Sequence, residues 1–150
     1  MSVAASILEH MFEELIDVGP PTDERALIER IAALERLKAA AAAGQARLTA
    51  ALDTARRSAE AAAGVPAERR GRGVAAEVAL ARRDSPVRGG RHLGFAKALV
   101  HEMPHTLAAL EAGALSEWRA TILVRESACL DAEDRRRLDE EMCRGTSGLD

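Results

Sequence analysis

The feature that most constrains the fold is a long segment without helix breakers. From residue 22 to residue 63 there is no proline and a single glycine, Gly44, and alanine is the commonest residue. Because alanine is the best helix former and proline the worst, the segment predicts one helix over 22–63, with Thr22 as its N-cap. Such a helix would be about 60 Å long at about 1.5 Å per residue. It therefore needs a packing partner, in its own chain or in another copy.

Within this segment, mostly apolar residues recur in alternating steps of four and three, the spacing of a coiled-coil seam. The predicted seam consists of Leu27, Ile31, Leu34, Lys38, Ala41, Gln45, Leu48 and Leu52. Its centre is weak, because Lys38 and Gln45 are polar. Two interpretations stay open: an alanine-rich helix packed inside its own chain, and a helix that forms a homodimer with a second copy.

The rest of the chain also favours helix. Phe12, Phe95 and Trp118 are the only aromatic residues, whereas a β-protein would carry many more aromatic and β-branched side chains. Periodic apolar residues and turn signals predict helices around 3–18, 22–63, 74–83, 92–102, 104–113, 116–124 and 132–143. We therefore expect an all-α fold of about seven helices, a bundle or helical hairpin, in a single domain over 1–150.

Several boundaries have specific local signals. Residues 64–73, rich in glycine and arginine, read as a loop. Pro104 fits the first turn of a helix, and Ser116 and Asp131 are each placed to cap one. Trp118 falls within a helical pattern and is expected to lie in the core.

One string resembles a catalytic motif. His101, Glu102 and His105 match the HExxH pattern of zinc proteases, which requires both histidines on one face of a continuous helix. Pro104 favours a break at that point, so a zinc site is not expected. No nucleophile constellation, phosphate-binding loop, cofactor site or small-molecule site is evident either. The sequence thus predicts no catalytic residue and no metal ligand.

Cysteine use and hydropathy indicate the compartment. Cys129 and Cys143 are isolated, without the CxxC pairs of a structural zinc or the many cysteines of a disulfide framework. No stretch has the length of a membrane span, and the amino terminus lacks a signal-peptide pattern. A cytoplasmic protein that does not bind membranes is expected.

Charge is distributed unevenly along the chain. Although the net charge is −3, residues 69–91 hold seven arginines against two acids, which gives +5. These arginines are Arg69, Arg70, Arg72, Arg82, Arg83, Arg88 and Arg91. Residues 1–36 carry −5 and residues 126–150 carry −4. The arginines therefore predict either contacts with the phosphates of a nucleic acid, with DNA as the expected partner, or pairing with the acidic ends of the chain.

Five stretches carry a resemblance to a known family. They are residues 34–38, 69–83, 91–96, 103–110 and 115–120, with sequences LERLK, RRGRGVAAEVALARR, RHLGFA, MPHTLAAL and LSEWRA. Together they resemble the actinobacterial family called domain of unknown function 222, in the same order over about 25–145. Members of this family commonly carry an HNH nuclease domain downstream. The resemblance implies a helical domain that is associated with DNA through that nuclease.

The chain departs from this pattern because it ends at Asp150 without an HNH motif, so no catalytic residue carries over from the family. A shorter stretch, residues 110–120, resembles the helical DNA-binding portion of partition-type proteins, with Ser116 and Arg119 as phosphate contacts. The leading hypothesis is a non-catalytic helical module that binds DNA through the arginine segment. The alternative is an oligomerisation scaffold that binds no nucleic acid.

Overall fold

The computed structural model describes residues 10, 12–14, 16, 17, 19 and 23–144. Of the predicted helix over 3–18, residues 10, 12–14 and 16 are helical, and its other residues lie outside the described part. Thr22, the predicted N-cap of the long helix, also lies outside it.

Residues 23–144 form six α-helices and one short 3-10 helix, with no β-strand. They are α1 (Glu24–Ala62), the 3-10 helix (Ala67–Arg69), α2 (Val74–Ala81), α3 (Pro86–His101), α4 (Pro104–Glu111), α5 (Glu117–Glu126) and α6 (Ala132–Cys143). The predicted all-α fold and its long helix are confirmed. The shorter helices pack along α1 and against one another as a bundle.

The core joins the alanines of α1 to side chains of α3, α4 and α5 and to Met103 between α3 and α4. From α1 come Ala39, Ala42, Ala43 and Ala46; facing them are Ala96, Leu99, Met103, Leu107, Leu110 and Ala120. Because the alanines of α1 project so little, the other helices approach its backbone closely. Leu99 and Leu110 are fully buried at this contact, where truncation to alanine typically costs 2–5 kcal/mol.

The predicted coiled-coil seam is not the face that α1 buries inside the chain. The buried stripe consists of Ala39, Ala42, Ala43, Ala46, Thr49, Ala50 and Asp53. On the seam, by contrast, Ile31 is 67% exposed and Leu48 is 73% exposed. The chain therefore packs α1 through its alanines and leaves part of the heptad seam exposed, while Leu27 and Leu34 of the seam are partly buried.

Helix α3 begins earlier than the sequence predicts. Its first residue is Pro86, not His92, and Ser85 precedes it as the N-cap residue. The predicted start at residue 92 leaves Gly89 outside the helix, but Gly89 is helical and buried because α2 passes directly over it. A Cβ at this position would lie 2.0 Å from the carbonyl oxygen of Ala75. The glycine thus permits a helix contact instead of ending a helix.

Trp118 is 68% exposed, so the expectation that it lies in the core is wrong. The inner face of α5 carries buried Ala120 and the partly buried Leu123 and Val124, which pack on the core. Trp118 precedes Ala120 by two residues, or about 200° around a helix, and therefore points the opposite way.

The break expected at Pro104 is confirmed. Helix α3 ends at His101, and α4 begins at Pro104 with Met103 in a non-helical conformation between them. His101 and His105 consequently belong to two different helices, and the HExxH string does not form a zinc-protease helix.

Buried polar contacts attach the carboxyl-terminal helix to the bundle. Asp139 on α6 is fully buried and accepts hydrogen bonds from the backbone N–H groups of His105 and Thr106, each 2.8 Å long, and from the Thr106 hydroxyl. It thereby caps the positive end of α4. Arg135, also buried, donates to Ser127 Oγ and the Val124 carbonyl and pairs with Glu102.

None of the helices in the described part of the chain combines the length and the apolar character needed to cross a membrane.

Candidate nucleic-acid interface

The seven arginines of the predicted site all lie on the α2–α3 pair and on the loop that leads into it. Arg69 ends the 3-10 helix, and Arg70 and Arg72 follow it in the loop. Arg82 and Arg83 come directly after α2, while Arg88 and Arg91 lie one turn apart near the start of α3. Close contact at Gly89 holds the two helices together as one unit.

Two of the seven arginines make contacts inside the chain. Arg70 donates from Nε to the carbonyl oxygen of Val65 at 2.7 Å. Arg82 pairs with Glu117 at the start of α5, at 3.2 Å, and only about a fifth of its side chain is exposed. These two side chains stabilise the loop and the α2–α5 contact, and are less available to a ligand.

Four of the seven, Arg69, Arg72, Arg83 and Arg91, are exposed and have no side-chain partner among the described residues. Arg88 is intermediate: it lies 3.6 Å from Asp84, but 65% of its side chain is exposed. We call Arg69, Arg72, Arg83, Arg88 and Arg91 the arginine surface.

The two acids within residues 69–91 are already paired with cationic or polar groups. Glu77 forms a bidentate ion pair with Arg56 of α1, at 3.0 to 3.1 Å. Asp84 contacts His92 Nε2 at 2.9 Å and accepts from the Ser85 backbone N–H. Hydrogen bonds from His92 and Ser85 lower the pKa of the Asp84 carboxyl. Neither acid therefore neutralises the four unpartnered arginines.

Arg83 occupies a backbone conformation that favours glycine. Its φ is +54°, the only positive φ at a residue other than glycine in the described part of the chain. The backbone there forms a Schellman motif, with Arg83 N bonded to Leu80 O and Asp84 N bonded to Ala79 O. An L-residue in this region costs roughly 1–2 kcal/mol relative to glycine, so the chain retains a cation where glycine would be more stable.

The loop that carries Arg69 and Arg72 is anchored to the end of α1. Glu60 accepts a 2.6 Å hydrogen bond from the backbone N–H of Gly71. Gly71, with φ +75°, lies so close to the Arg57 guanidinium that a Cβ would come within 2.8 Å of it. The guanidinium is in turn held by buried Asp53, which also lies 3.4 Å from Lys97 of α3. The arginines thus extend from a loop with a defined shape.

The second interpretation of the arginines is that they pair with the acidic ends of the chain. Among the described residues, no ion pair joins one of the seven arginines to an acid of either end. The contacts that the seven make to acids are with Asp84 and Glu117, in the middle of the chain. Acids of the carboxyl-terminal segment instead pair locally, as Asp134 does with Arg137 and Glu140 with Arg144.

Ser116 and Arg119, the other two expected phosphate contacts, are placed differently from each other. The Ser116 hydroxyl caps α5 by accepting from the Arg119 backbone N–H at 3.4 Å. Asp131 likewise caps α6, accepting from the N–H groups of Glu133 and Asp134. Both predicted caps are confirmed. The Arg119 side chain is exposed, while the Ser116 oxygen is occupied within the helix end.

The buried carboxylates Asp53 and Asp139 were not singled out by the sequence reasoning. A signal did exist for Asp53, since it is the one acid within the alanine-rich residues 36–59. Asp139 lies among many charged residues of α6, and nothing in that pattern distinguishes it from its exposed neighbours.

Comparison of the chain with family models, with curated proteins and with solved structures gave no match. Within the described residues, no three His, Cys, Asp or Glu side chains are grouped so that they could hold a metal ion.

Proposed function

We propose that this chain is a non-catalytic helical module that binds the phosphate backbone of nucleic acid, with DNA as the partner, through the arginine surface. The observation that carries the proposal is the exposure of Arg69, Arg72, Arg83 and Arg91, which have no acidic partner within the part of the chain that the structure describes. Arginine suits this role because its planar guanidinium donates two parallel hydrogen bonds to a phosphate.

The strained position of Arg83 supports the same role. Strain of this kind persists where the surrounding structure imposes it, and such residues cluster at functional sites. A glycine would relieve the strain but would remove one of the four unpartnered cations. The arginine at this strained position therefore supports a role for its charge.

The family resemblance adds the biological setting to the proposal. A module of the kind called domain of unknown function 222 would hold DNA for an HNH nuclease, in the cytoplasm, and would contribute binding instead of cleavage. Phosphate contacts position a protein on the duplex without reading its sequence, which suits a module whose partner does the chemistry.

Fluorescence anisotropy with labelled duplex and single-stranded DNA at low salt tests the proposal. The quadruple arginine variant carries Arg69→Ala, Arg72→Ala, Arg83→Gly and Arg91→Ala. We expect wild type to bind and the variant to lose at least about tenfold in affinity, because each lost phosphate contact removes favourable counterion release.

The matched control removes the same charge from exposed arginines elsewhere: Arg25→Ala, Arg125→Ala, Arg136→Ala and Arg137→Ala. It should retain most of the wild-type affinity. Equal losses in the two variants would mean that only net charge matters and would refute a localised site. Absence of binding by folded wild type would refute the proposal itself.

A second candidate function is self-association through α1, and it has an observation of its own. Part of the heptad seam of α1 is exposed, since Ile31 is 67% and Leu48 73% exposed while the alanine stripe serves the internal core. Exposed apolar residues at coiled-coil spacing favour pairing with another helix. Analytical ultracentrifugation over a concentration series tests it, and a monomer throughout would refute it.

A further inference from the structure

Trp118 is the single tryptophan of the chain, and it is exposed to solvent over 68% of its surface. Residues 69–91, which supply the arginine surface, contain no aromatic residue. In sequence, therefore, the arginines have no neighbouring ring on which a nucleobase could stack. The fold changes this, because it places the start of α5 beside the end of α2.

An ion pair fixes the start of α5 next to the arginine surface. Arg82, directly after α2, lies 3.2 Å from Glu117, the first residue of α5. Arg83 of the arginine surface follows Arg82, and Trp118 follows Glu117. Even with both paired side chains fully extended, and about 3.8 Å to each neighbouring Cα, the Cα atoms of Arg83 and Trp118 are at most about 23 Å apart. Both side chains can therefore contact one extended strand.

Helix geometry directs the Trp118 ring away from the core. Successive helical residues are about 100° apart, so Trp118 lies one step around α5 from Glu117, which contacts Arg82, and about 200° from buried Ala120. Arg119, the next residue, is exposed as well. The ring thus lies open beside the Arg82–Glu117 ion pair, with an exposed arginine next in sequence to each side of that contact.

The charges around Trp118 favour a nucleobase as the group that covers its ring. Arg83 and Arg119 form no ion pair with an acid in the described part of the chain, so they are complementary to phosphate. Every base has a π-face, and its stacking on an aromatic side chain needs no particular sequence. Bases inside a duplex are paired and stacked on one another, so a ring on a helix surface can reach them in a single strand.

We propose that Trp118 stacks on a base of single-stranded DNA whose phosphates contact the arginine surface. The inference rests on the nucleic-acid function proposed above and adds the form of the DNA. The arginine surface contacts the phosphates of either form, whereas Trp118 contributes to the affinity for single strands alone.

Intrinsic fluorescence tests the stacking directly, because Trp118 is the only tryptophan and the chain has no tyrosine. Titration with an oligothymidylate of about 12 nucleotides should quench the emission of Trp118, since a stacked base quenches indole fluorescence. A strand of the same length with abasic sites keeps the phosphates and lacks the bases. It should bind more weakly and leave the emission nearly unchanged, and so should a duplex.

Anisotropy with labelled DNA separates the contribution of the ring from that of the charges. Trp118→Ala should bind the oligothymidylate at least about fivefold more weakly than wild type, and the duplex about equally. Trp118→Phe keeps a ring and should recover part of the affinity. The matched control is Leu80→Ala, at an apolar residue of α2 that is 80% exposed, and it should bind both forms as wild type does. Because both positions are exposed, the variants should stay folded, which circular dichroism checks.

The outcomes distinguish the inference from the function on which it rests. Quenching by the oligothymidylate together with a selective loss in Trp118→Ala supports both. Binding to DNA without quenching, or a loss in Trp118→Ala that is equal for duplex and single strand, overturns the stacking and keeps the arginine proposal. An emission maximum that moves to shorter wavelength with protein concentration, without DNA, would place a second copy over the ring and also overturns the stacking. Absence of binding to either form by folded wild type overturns both.

Discussion

Gly89 is where the packing of α2 on α3 depends most directly on a single residue. A Cβ there would lie 2.0 Å from the Ala75 carbonyl oxygen and 2.9 Å from the Ala79 Cβ. We expect Gly89→Ala to lower the free energy of unfolding by about 1–3 kcal/mol or more, since the two helices must separate. Urea denaturation followed by far-UV circular dichroism measures the change.

The neighbouring glycine supplies the control. Gly90 lies in the same helix with nothing within 4 Å of its Cβ position. Gly90→Ala should therefore raise the free energy of unfolding by roughly 0.5–1 kcal/mol, through the lower entropy of the unfolded chain. If both substitutions changed the free energy of unfolding in the same direction, the result would contradict the close contact between α2 and α3.

Arg83 offers a substitution in which stability and binding change in opposite directions. Arg83→Gly relieves the left-handed backbone and should raise the free energy of unfolding by about 1 kcal/mol. The same change should weaken binding to DNA, because one phosphate contact is lost. Thermal denaturation and anisotropy, run on the same sample, measure the two effects. A destabilised variant would argue against the strained turn.

The Asp84 carboxyl should make folding sensitive to acid. Its pKa is lowered in the folded state by hydrogen bonds from His92 and Ser85, from an ordinary value of 3.8. The unfolded chain therefore takes up a proton at this site more readily, and the contribution to stability is present above 3.8 and lost as the pH falls below it.

Asp84→Asn isolates this contribution. The difference in unfolding free energy between wild type and Asp84→Asn should be largest near pH 6 and should shrink as the pH approaches about 2. Urea denaturation at a series of pH values measures it. A difference that stays constant over this range would show that the carboxylate charge does not matter at this site.

At the scale of the element, α6 depends on Asp139 for its attachment. Asp139→Ala leaves the N–H groups of His105 and Thr106 and the Thr106 hydroxyl without their acceptor. We expect Asp139→Ala to lower the free energy of unfolding by roughly 3 kcal/mol or more, because these donors are buried or partly buried. The control is Glu140→Ala, at the exposed residue next to Asp139, which should change the free energy of unfolding by less than about 0.5 kcal/mol.

Cys143 at the end of α6 reports on this attachment directly. Burial raises the pKa of its thiol, while Cys129 is exposed. A thiol reagent should therefore modify Cys129 quickly and Cys143 only when α6 opens. In the Asp139→Ala variant, the thiol reagent should modify Cys143 at least about tenfold faster than in wild type. Equal rates in the two proteins would show that Asp139 does not hold the helix.

Local signals predicted the helices well because their causes are local. Pro104 lacks the N–H that a continuing helix needs, and Ser116 and Asp131 supply oxygens to the free N–H groups of the helices that follow. The start of α3 could not be predicted in this way. Glycine in sequence suggests a loop, and only the passage of α2 shows that Gly89 serves packing.

Trp118 and the seam of α1 show a second limit of sequence reasoning. Periodicity places residues on faces of a helix, but which face turns inward depends on the neighbouring helices. For α1 the alanine stripe and the heptad seam both had helical spacing. Close packing by α3 and α4 requires the smaller side chains, so the alanines became the internal face.

At the scale of the whole molecule, composition located the arginines but not their individual roles. Arg82 differs from Arg83 because Glu117, distant in sequence, lies beside it. Arg70 differs from Arg69 because the loop folds back on Val65. Such pairings depend on tertiary structure, so the sequence could predict the segment but not which of its side chains remain exposed.

The two proposed surfaces lie on different elements. The arginine surface belongs to the 3-10 helix, the loops before and after α2 and the start of α3, and the seam belongs to α1. Substitutions in one are therefore expected to leave the other intact, which allows binding to nucleic acid and self-association to be tested separately.

The central claim, that the exposed arginines contact phosphates, is tested most directly by the salt dependence of DNA binding. The slope of the logarithm of the binding constant against the logarithm of salt concentration counts phosphate contacts, at about 0.9 per contact for duplex DNA. The quadruple arginine variant should have a slope smaller than that of wild type by about 3–4, while the control variant should keep the wild-type slope. A quadruple variant with an unchanged slope would contradict the claim.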